Sequence, residues 1–208
     1  MLKNYIFDLG GVILDIRMQN AYERFVSLGL PAAELEKGGL AYKLMEDYQL
    51  GFVNTQNFCK QIADKCSFAT PSDIENAWNS ICLGVAERKL NALRRLRKME
   101  NVTVSLLSNT NDLHWDFCCK NWFNANGNHI SDFFGHVFLS QGLHLQKPDP
   151  DIFKTAVRTL KANPNETIFI DDNAENTAAA AACGLKTLCV TSNIDWVQRL
   201  SLSESQCA

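Results

Sequence analysis

The chain has 208 residues, of which 46% are hydrophobic and 21% are charged, and its formal net charge is −3. This length allows one well-formed core and a small second domain but excludes two large domains. Nothing in this slightly acidic composition predicts a nucleic-acid-binding protein, which would normally show a basic stripe or patch, and no apolar run approaches the roughly 20 residues that cross a bilayer. The first apolar stretch is too short for a signal peptide and is followed at once by Asp8, so we expect a soluble, cytoplasmic protein.

Alternating strand and helix patterns describe most of the chain. Short apolar runs predict buried strands at residues 4–8, 102–107, 136–139, 167–171 and 186–190. Apolar residues at helical spacing predict helices at residues 86–99, 112–122, 150–162 and 174–183. Asp149-Pro150 is a good helix start, and Gly184 is a natural helix stop. We therefore predict an α/β fold with a doubly wound, mostly parallel five-stranded sheet and helices on both faces.

Residues 17–85 read differently, because they look helical throughout. Breaks in the helical pattern fall at residues 29–31, 51 and 70–72. A block of this length between the first two strands is too long for one crossover helix. We therefore predict an inserted helical domain at residues 17–85 and a core domain made of residues 1–16 and 86–208.

The cysteines and histidines give no metal-binding pattern. The cysteines stand at positions 59, 66, 82, 118, 119, 183, 189 and 207, without a C-x-x-C pair. In a reducing compartment we expect most of them to be small buried apolar side chains, with Cys207 exposed on a loose tail at residues 201–208. The histidines at positions 114, 129, 136 and 144 lack metal-ligand spacing and are expected in structural or surface roles.

Acidic residues follow two of the predicted strands. Asp8 ends the first apolar run, and Asp171 and Asp172 end the fourth. The carboxyl ends of parallel strands line the ligand crevice of an open sheet, so these acids should meet there. A buried acid needs a cation or strong hydrogen bonds, and hard carboxylate oxygens suit Mg²⁺. Taken singly, the segment at Asp8 also fits a strand followed by an ordinary turn, and the segment at Asp171 and Asp172 also fits capping of the next helix.

A hydroxyl and a lysine complete the pattern. Ser108 ends the second predicted strand before a helix, where a hydroxyl and free backbone N–H groups make an anion site. Lys147 lies on a rigid loop, where a fixed ammonium can neutralise phosphate oxygens and an acidic cluster. A simple helix cap and a surface lysine are the alternatives for these two residues taken alone.

The order of these motifs resembles that of the haloacid dehalogenase (HAD) superfamily. The matching motifs are Asp8-Leu9-Gly10-Gly11-Val12, Ser108-Asn109, Lys147-Pro148 and Asp171-Asp172. The resemblance covers nearly the whole chain, including an insertion after the first motif, as in members with a small helical cap. The surrounding stretches look most like bacterial sugar-phosphate phosphatases of the glucose-1-phosphatase kind. The resemblance implies a Rossmann-like core with an inserted α-helical cap.

The resemblance also implies a phosphoric monoester hydrolase with a covalent mechanism. Asp8 is expected to attack phosphorus and form an aspartyl-phosphate, which water then hydrolyses. Mg²⁺ is expected to be held by the Asp8 carboxylate, the Gly10 carbonyl and Asp172, and by Asp171 either directly or through water.

Further residues are assigned to the substrate by the same resemblance. Ser108 and Lys147 are expected to hold the transferring phosphoryl oxygens, and Leu9, Gly10 and Asn109 are expected beside the substrate. The helical cap is expected to close over the site and to select the leaving group of a small phosphorylated metabolite.

The sequence departs from the family pattern at Gly10. Most phosphatases of the superfamily carry a second aspartate there, which serves as general acid and base. A glycine keeps the backbone carbonyl that would bind the metal, but it removes the side chain that transfers protons. General acid–base catalysis of this kind typically raises the reaction rate ~10²–10⁴-fold. We therefore expect a substrate with a good leaving group, such as a sugar 1-phosphate or an acyl phosphate, and we disfavour a phosphomutase. Asp15 is a candidate substitute acid, although a capping or hinge role is the favoured interpretation.

Two other functions stay open at this level. The chain could be a non-catalytic or weakly active phospholigand-binding regulatory protein. It could also be a 2-haloacid dehalogenase, although the paired acids argue against a metal-independent enzyme. Four cap side chains are candidates to face the site, namely Tyr42, Met45, Glu46 and Tyr48. Helical periodicity does not separate pocket from core for them, and the sequence leaves monomer and dimer equally open.

Overall fold

A computed structural model describes residues 2–191 and 195–200, so the predicted tail at 201–208 lies outside the described residues. The strands are β1 (Asn4–Phe7), β2 (Leu14–Ile16), β3 (Cys82–Val85), β4 (Thr103–Ser108), β5 (His136–Leu139), β6 (Thr167–Asp171) and β7 (Lys186–Cys189). The α-helices are α1 (Met18–Ser27), α2 (Leu40–Gln49), α3 (Thr55–Ala63), α4 (Pro71–Asn79), α5 (Glu87–Lys98), α6 (Asp112–Cys118), α7 (Ser140–Leu143), α8 (Pro150–Leu160), α9 (Ala174–Ala182) and α10 (Trp196–Arg199). Among these helices of the described chain, none combines the length and apolarity that a bilayer crossing requires.

One parallel sheet carries the fold. Within the described residues its strands run in the order β5-β4-β1-β6-β7, and each neighbouring pair is parallel. These are the five strands predicted from the sequence, each within one residue of its predicted ends. Because β1 lies in the centre of the sheet, whatever follows its last residue is enclosed by the loops of both neighbouring strands.

Side-chain alternation along the strands divides the core into two layers. Phe7, Leu106 and Ile170 belong to one apolar cluster, which also contains residues of α5, α6 and α10. Their neighbours in sequence, Ile6, Leu107 and Phe169, belong to a second cluster with α8 and α9. Successive residues of a strand point to opposite faces, so each of the three central strands buries both faces. The predicted doubly wound arrangement is confirmed.

The segment between β1 and β4 contains α1 to α4, as the sequence predicts. These helices enclose a third apolar cluster centred on Phe25, Tyr48, Phe58 and Trp78. Stacked rings stabilise it, with centroids 4.4 Å apart for Tyr48 and Phe58. The helical segment thus has a core of its own.

The prediction that this segment is helical throughout is wrong at its end. Residues 82–85 form strand β3, which pairs antiparallel with β2. Gly84 and Val85 are poor helix formers, and the strand pairing satisfies backbone groups that a solvent-exposed coil would leave to water. The entry to the helical segment and the exit from it therefore run side by side as a two-stranded ribbon.

The helix ends follow their sequence signals. The side chain of Asp149 accepts a hydrogen bond from the backbone N–H of Asp151 at the start of α8, with Pro150 in the first helical position. Gly184 has φ +87°, which suits the chain reversal after α9. The predicted helix at 112–122 is α-helical only to Cys118 and continues as a π-helical turn, Cys119–Phe123, which buries the Phe123 ring in the core.

Candidate active site

The strand register brings the predicted site residues to one edge of the sheet. Phe7 of β1 is aligned with Leu106 of β4 and with Ile170 of β6. Asp8, the next residue in the chain, therefore lies level with Leu107, one residue before the end of β4, and with Asp171, the last residue of β6. Its backbone N–H donates to the Ile170 carbonyl at 2.8 Å, which continues the pairing of β1 with β6 to the rim.

Lys147 joins the two acidic motifs. Its Nζ lies 2.7 Å from Asp8 Oδ1 and 2.7 Å from Asp171 Oδ2. The lysine is 3% exposed and Asp171 is fully buried. A buried ammonium is tolerated only when it is paired, and here two carboxylates share it. The structure thus connects three residues that are far apart in the sequence.

The side chain of Asn109 fixes the backbone at Lys147. Its Nδ2 donates to the Lys147 carbonyl at 2.8 Å, and its Oδ1 accepts from the Lys147 N–H at 2.8 Å. This reciprocal pair fastens the loop after β4 to the loop before α8. Asn109 therefore contacts the lysine that bridges the acids, in addition to its predicted position near the substrate.

Asp171 has all of its acceptor positions occupied. Oδ1 accepts from the Asn173 N–H at 2.8 Å and from Asn176 Nδ2 at 3.1 Å. Oδ2 accepts from Lys147 Nζ at 2.7 Å and from Asn176 Nδ2 at 3.1 Å. A carboxylate offers about four lone-pair positions, so none is left over for direct bonding to a cation.

Sequence reasoning missed Asn176. It lies in the first turn of α9, five residues after Asp171, and it is buried. Its spacing from the paired acids places it one helical turn beyond the strand end, where a side chain can reach back to the strand. The sequence signal that could have identified it is an asparagine five residues after Asp171, in the first turn of the helix that follows the strand.

A cluster of three carboxylates can hold a divalent cation. Oxygens of Asp8, Asp171 and Asp172 lie within 4.8 Å of one another, and those of Asp8 and Asp172 are the ones open to direct bonding, with Asp171 acting through water. Three carboxylates and the one ammonium of Lys147 leave two negative charges, which one divalent cation would neutralise. Oxygen donors of this kind are the ligands that Mg²⁺ prefers. The residues present therefore fit a magnesium ion.

Gly11 makes room for this cluster. Its φ is +74°, and a Cβ built on it would lie 2.1 Å from Asp172 Oδ2. Glycine tolerates both the left-handed backbone and the close approach of the carboxylate. The second glycine after Asp8 is thus required by the position of Asp172.

Burial perturbs the acids of the cluster. Burial raises the pKa of Asp8 to about 6, the charge of Asp171 reinforces the shift, and the Lys147 ammonium opposes it. The pKa of Asp172, whose residue is exposed overall but whose carboxyl is partly enclosed by the cluster, is also raised, first by this partial burial and then by the charge of Asp171. A cation at the cluster would favour the ionised carboxylates that these environments disfavour.

The remaining predicted residues lie around the same rim. Ser108 is the last residue of β4 and is 2% exposed. Leu9 is also 2% exposed and belongs to the apolar core, so only its backbone can serve a substrate. Gly10 faces Ile16, whose Cδ1 would lie 3.0 Å from a Cβ at that position. An acidic side chain at position 10 would therefore lie against the apolar side chain of Ile16.

Asp15 is engaged away from the acidic cluster. It lies in β2, and its Oδ1 accepts a hydrogen bond from Lys89 Nζ of α5 at 2.9 Å. Its side chain is 60% exposed, whereas that of Lys89 is 10% exposed. This ion pair ties the ribbon at the entry of the helical segment to α5 of the core.

The four candidate cap residues divide between core and surface. Met45 and Tyr48 are buried in the helical cluster, and Tyr48 donates or accepts at Thr55 Oγ1, 2.9 Å away. Tyr42 is half-buried and Glu46 is exposed. Met45 and Tyr48 are thus explained by packing.

The histidines and cysteines serve structural or surface roles. His114 Nε2 contacts the Trp78 carbonyl at 3.0 Å, its ring stacks on Trp78, and burial lowers its pKa to about 4. The other three histidines are exposed. All cysteines within the described residues are free thiols, three buried and four partly buried, while Cys207 lies outside those residues.

Comparison with known proteins places this geometry in a family. Residues 2–184 match the haloacid dehalogenase-like hydrolases, and the chain belongs to that family. It is 32% identical over 204 residues to the D-ribitol-5-phosphate phosphatase of Bacteroides thetaiotaomicron, across 97% of this chain and 98% of that protein.

Solved structures agree with this placement. A HAD family enzyme of Bacteroides thetaiotaomicron, in complex with magnesium and inorganic phosphate, superposes with a TM-score of 0.86 at 31% identity, over 96% of this chain and 99% of that one. A predicted HAD-like hydrolase of Porphyromonas gingivalis gives a TM-score of 0.84 at 27% identity, over 97% of each chain.

Proposed function

We propose that this protein is a magnesium-dependent phosphatase that hydrolyses a small phosphorylated metabolite through an aspartyl-phosphate on Asp8. The observation that carries the proposal is the buried bridge from Lys147 to Asp8 and Asp171, beside the carboxylate of Asp172. An acid and a fixed ammonium at the centre of a strand-end crevice suit attack on phosphorus with charge neutralisation.

Magnesium would be held by the carboxylates of Asp8 and Asp172 and by the Gly10 carbonyl. Because hydrogen bonds occupy the acceptor positions of Asp171, that residue would act on the ion through water. When bound, the ion supplies positive charge to the transferring phosphoryl group and to the attacking carboxylate. The free thiols of the described cysteines support a reducing, cytoplasmic setting.

The chain's own residues account for the two chemical steps. An oxygen of Asp8 attacks phosphorus, the bond from phosphorus to the ester oxygen breaks, and the alcohol leaves. Lys147 and Ser108 hold the phosphoryl oxygens during this transfer. Water then attacks the phosphorus of the aspartyl-phosphate, which releases inorganic phosphate and restores the Asp8 carboxylate.

The leaving group takes its proton without help from position 10, because Gly10 has no side chain. This favours sugar 1-phosphates and acyl phosphates, whose leaving groups need little protonation. The similarity to a D-ribitol-5-phosphate phosphatase favours a phosphorylated polyol instead. Sugar 1-phosphates and phosphorylated polyols both belong to the class of small phosphorylated sugars and polyols, which we propose as the substrate class, and an acyl phosphate is kept as an alternative.

The helical segment at residues 17–85 acts in this proposal as a cap on a core made of residues 1–16 and 86–208. Its separate apolar cluster and the paired strands β2 and β3 at its two connections support this division. The cap covers the strand-end crevice, excludes bulk water and discriminates among leaving groups.

Phosphate release from a substrate panel tests the proposal. The panel comprises p-nitrophenyl phosphate, D-ribitol 5-phosphate, sugar 1-phosphates and an acyl phosphate, each with and without Mg²⁺. Wild-type protein should release phosphate only with the metal, and Asp8→Asn should abolish release. Asp116→Asn, at an exposed aspartate of α6, serves as the matched control. Metal-independent turnover, or full activity in Asp8→Asn, would contradict the mechanism, and ligand binding without turnover would favour the regulatory alternative.

A further inference from the structure

Ser140 makes contacts that neither packing nor the catalytic motifs explain. It is the first residue of α7, directly after β5, and it is fully buried. Its Oγ accepts a hydrogen bond from the Thr110 N–H at 2.9 Å and lies 2.7 Å from the Gln49 carbonyl and 3.0 Å from the Thr110 carbonyl. A hydroxyl has one proton, so it donates to one carbonyl at a time, and the shorter contact is that to Gln49.

Gln49 belongs to the helical segment and meets the core twice. It is the last residue of α2, so its carbonyl has no partner within the helix and receives the Ser140 hydroxyl instead. Its side-chain Nε2 donates to Gln146 Oε1 at 2.8 Å, and Gln146 directly precedes Lys147. Gln49 therefore contacts α7 directly through Ser140 and the loop that carries Lys147 directly through Gln146.

The chain after Gln49 lies directly on α7. A Cβ at Gly51 would lie 2.2 Å from the Gln141 carbonyl oxygen, so the two backbones are in contact there. The Leu50 carbonyl lies 2.8 Å from His144 Nδ1, and the Phe52 ring stacks on the His144 ring with centroids 5.5 Å apart. We call residues 49–52 the cap latch, because they seat the helical segment on the core.

The latch is connected by short steps to the reacting groups. Ser140 Oγ accepts a hydrogen bond from the Thr110 N–H and lies 3.0 Å from the Thr110 carbonyl oxygen, and Thr110 follows Asn109 in the chain. Asn109 in turn holds the Lys147 backbone with two hydrogen bonds of 2.8 Å. A shift of the latch would therefore move the loop after β4 and the loop that carries Lys147 together.

We propose that Ser140 and Gln49 are positioning residues that couple the seating of the cap to the placement of Lys147 and Asn109. With the latch engaged, both loops are fixed in the geometry that the phosphoryl group meets. When the latch is released, the loop that carries Lys147 loses the hydrogen bond from Gln49 to Gln146, and the loop after β4 loses its connection to Gln49 through Ser140. The part of this proposal that concerns turnover rests on the proposed phosphatase function, whereas the coupling itself does not.

The test compares two serine substitutions. Ser140→Ala removes the hydroxyl that connects the latch to Thr110. Ser105→Ala is the matched control, because Ser105 is equally buried and its Oγ has no hydrogen-bond partner in the described part of the chain. Gln49→Ala removes only the bond to Gln146 and keeps the helix carbonyl, so it remains informative where Ser140→Ala fails to fold.

Kinetics with p-nitrophenyl phosphate and Mg²⁺ give the first readout. Ser140→Ala and Gln49→Ala should each lower kcat by roughly tenfold, with less than about threefold change in KM, because misplaced groups act mainly on the transition state. Ser105→Ala should leave both constants unchanged. Equal kinetics for the Ser140→Ala and Ser105→Ala proteins would overturn the proposal.

Hydrogen exchange gives a second readout that needs no turnover. Gln49→Ala should accelerate exchange at residues 109–111 and 146–147 of the core, and Ser140→Ala should accelerate exchange at residues 46–52 of the cap. Unchanged exchange across the interface in both variants would overturn the coupling. An inactive wild-type protein that still shows the cross-interface effect would refute the phosphatase function and leave the coupling in place.

Discussion

Replacing Gly11 by alanine should separate metal binding from stability. The substitution adds a Cβ that would lie 2.1 Å from Asp172 Oδ2 and 2.5 Å from its Cγ. To reach an ordinary contact of 3.4 Å, the carboxylate must retreat by the difference, about 1.3 Å. Asp172 is exposed, so its side chain can rotate away at little cost to the fold, but the rotation removes one oxygen from the acidic cluster.

Two magnitudes follow for Gly11→Ala. An alanine at φ +74° costs about 1–2 kcal/mol in the free energy of unfolding. Displacing Asp172, which we assign as a direct ligand, should lower the affinity for Mg²⁺ by at least roughly 10–100-fold, the range for losing only a group that supports a ligand. Gly127→Ala is the matched control, because Gly127 has φ +80° and no described atom within 4 Å of its built Cβ.

Urea unfolding without metal and calorimetric titration with Mg²⁺ measure the two quantities. Both variants should lose a similar amount of stability, and only Gly11→Ala should lose affinity for the metal. Wild-type affinity in Gly11→Ala would refute the assignment of Asp172 to the metal. An equal loss of affinity in Gly127→Ala would show that backbone strain, rather than the carboxylate, controls binding.

Three further predictions address the acid cluster, the cap interface and the missing acid. Asn176→Ala should lower kcat/KM by roughly 10–100-fold in a phosphate-release assay, because the buried carboxylate at the end of β6 loses its side-chain amide donor. Burial lowers the pKa of folded His114 to about 4, so as pH falls the unfolded chain binds the proton first, and the contribution of His114 to stability is lost between about pH 6.5 and 4. The raised pKa of Asp8 acts in the opposite sense over this range, so the effect of His114 is measured as the difference in urea unfolding between wild-type protein and His114→Gln. That difference should change by about 3 kcal/mol between the two pH values, whereas the difference between wild-type protein and His136→Gln, which alters an exposed histidine, should stay constant. Gly10→Asp combined with Ile16→Val should raise the rate on an alkyl phosphate relative to p-nitrophenyl phosphate by at least roughly tenfold, whereas Ile16→Val alone should not.

The sheet could be predicted because each strand carries its own local signal. The strand Thr167–Asp171 has a continuous apolar centre, residues 168–170, which is typical of a central parallel strand that buries both faces. Three of the four motifs could be placed because they lie at strand ends, whereas Lys147 follows α7 on the loop before α8. Parallel topology then brings the strand ends together without further information from the sequence.

Contacts between segments distant in sequence could not be predicted in the same way. Strand β3 was missed because Cys82–Val85 is short, and its partner β2 precedes the whole helical segment. The roles of Asn176 and Ser140 depend on side chains that meet only after folding, at Asp171 in one case and at Gln49 in the other. Periodicity reports which face of an element is apolar, but it carries no information on polar partners.

The saturation of Asp171 is likewise visible only in three dimensions. The sequence allowed either direct or water-mediated contact with the metal. Hydrogen bonds from Lys147, Asn173 and Asn176 occupy its oxygens and favour the contact through water. The adjacent acids thus have different environments, one fully buried and held, the other exposed and free to ligate.

Trapping the covalent intermediate tests the central claim most directly. Protein quenched in acid during turnover and reduced with borohydride should carry homoserine at position 8, since an aspartyl-phosphate is reduced where a free carboxylate is not. Peptide mass spectrometry should detect this product in wild-type protein with Mg²⁺ and substrate, and not in Asp8→Asn or without the metal. Steady phosphate release with no reduced residue at position 8, together with retained activity in Asp8→Asn, would contradict the account.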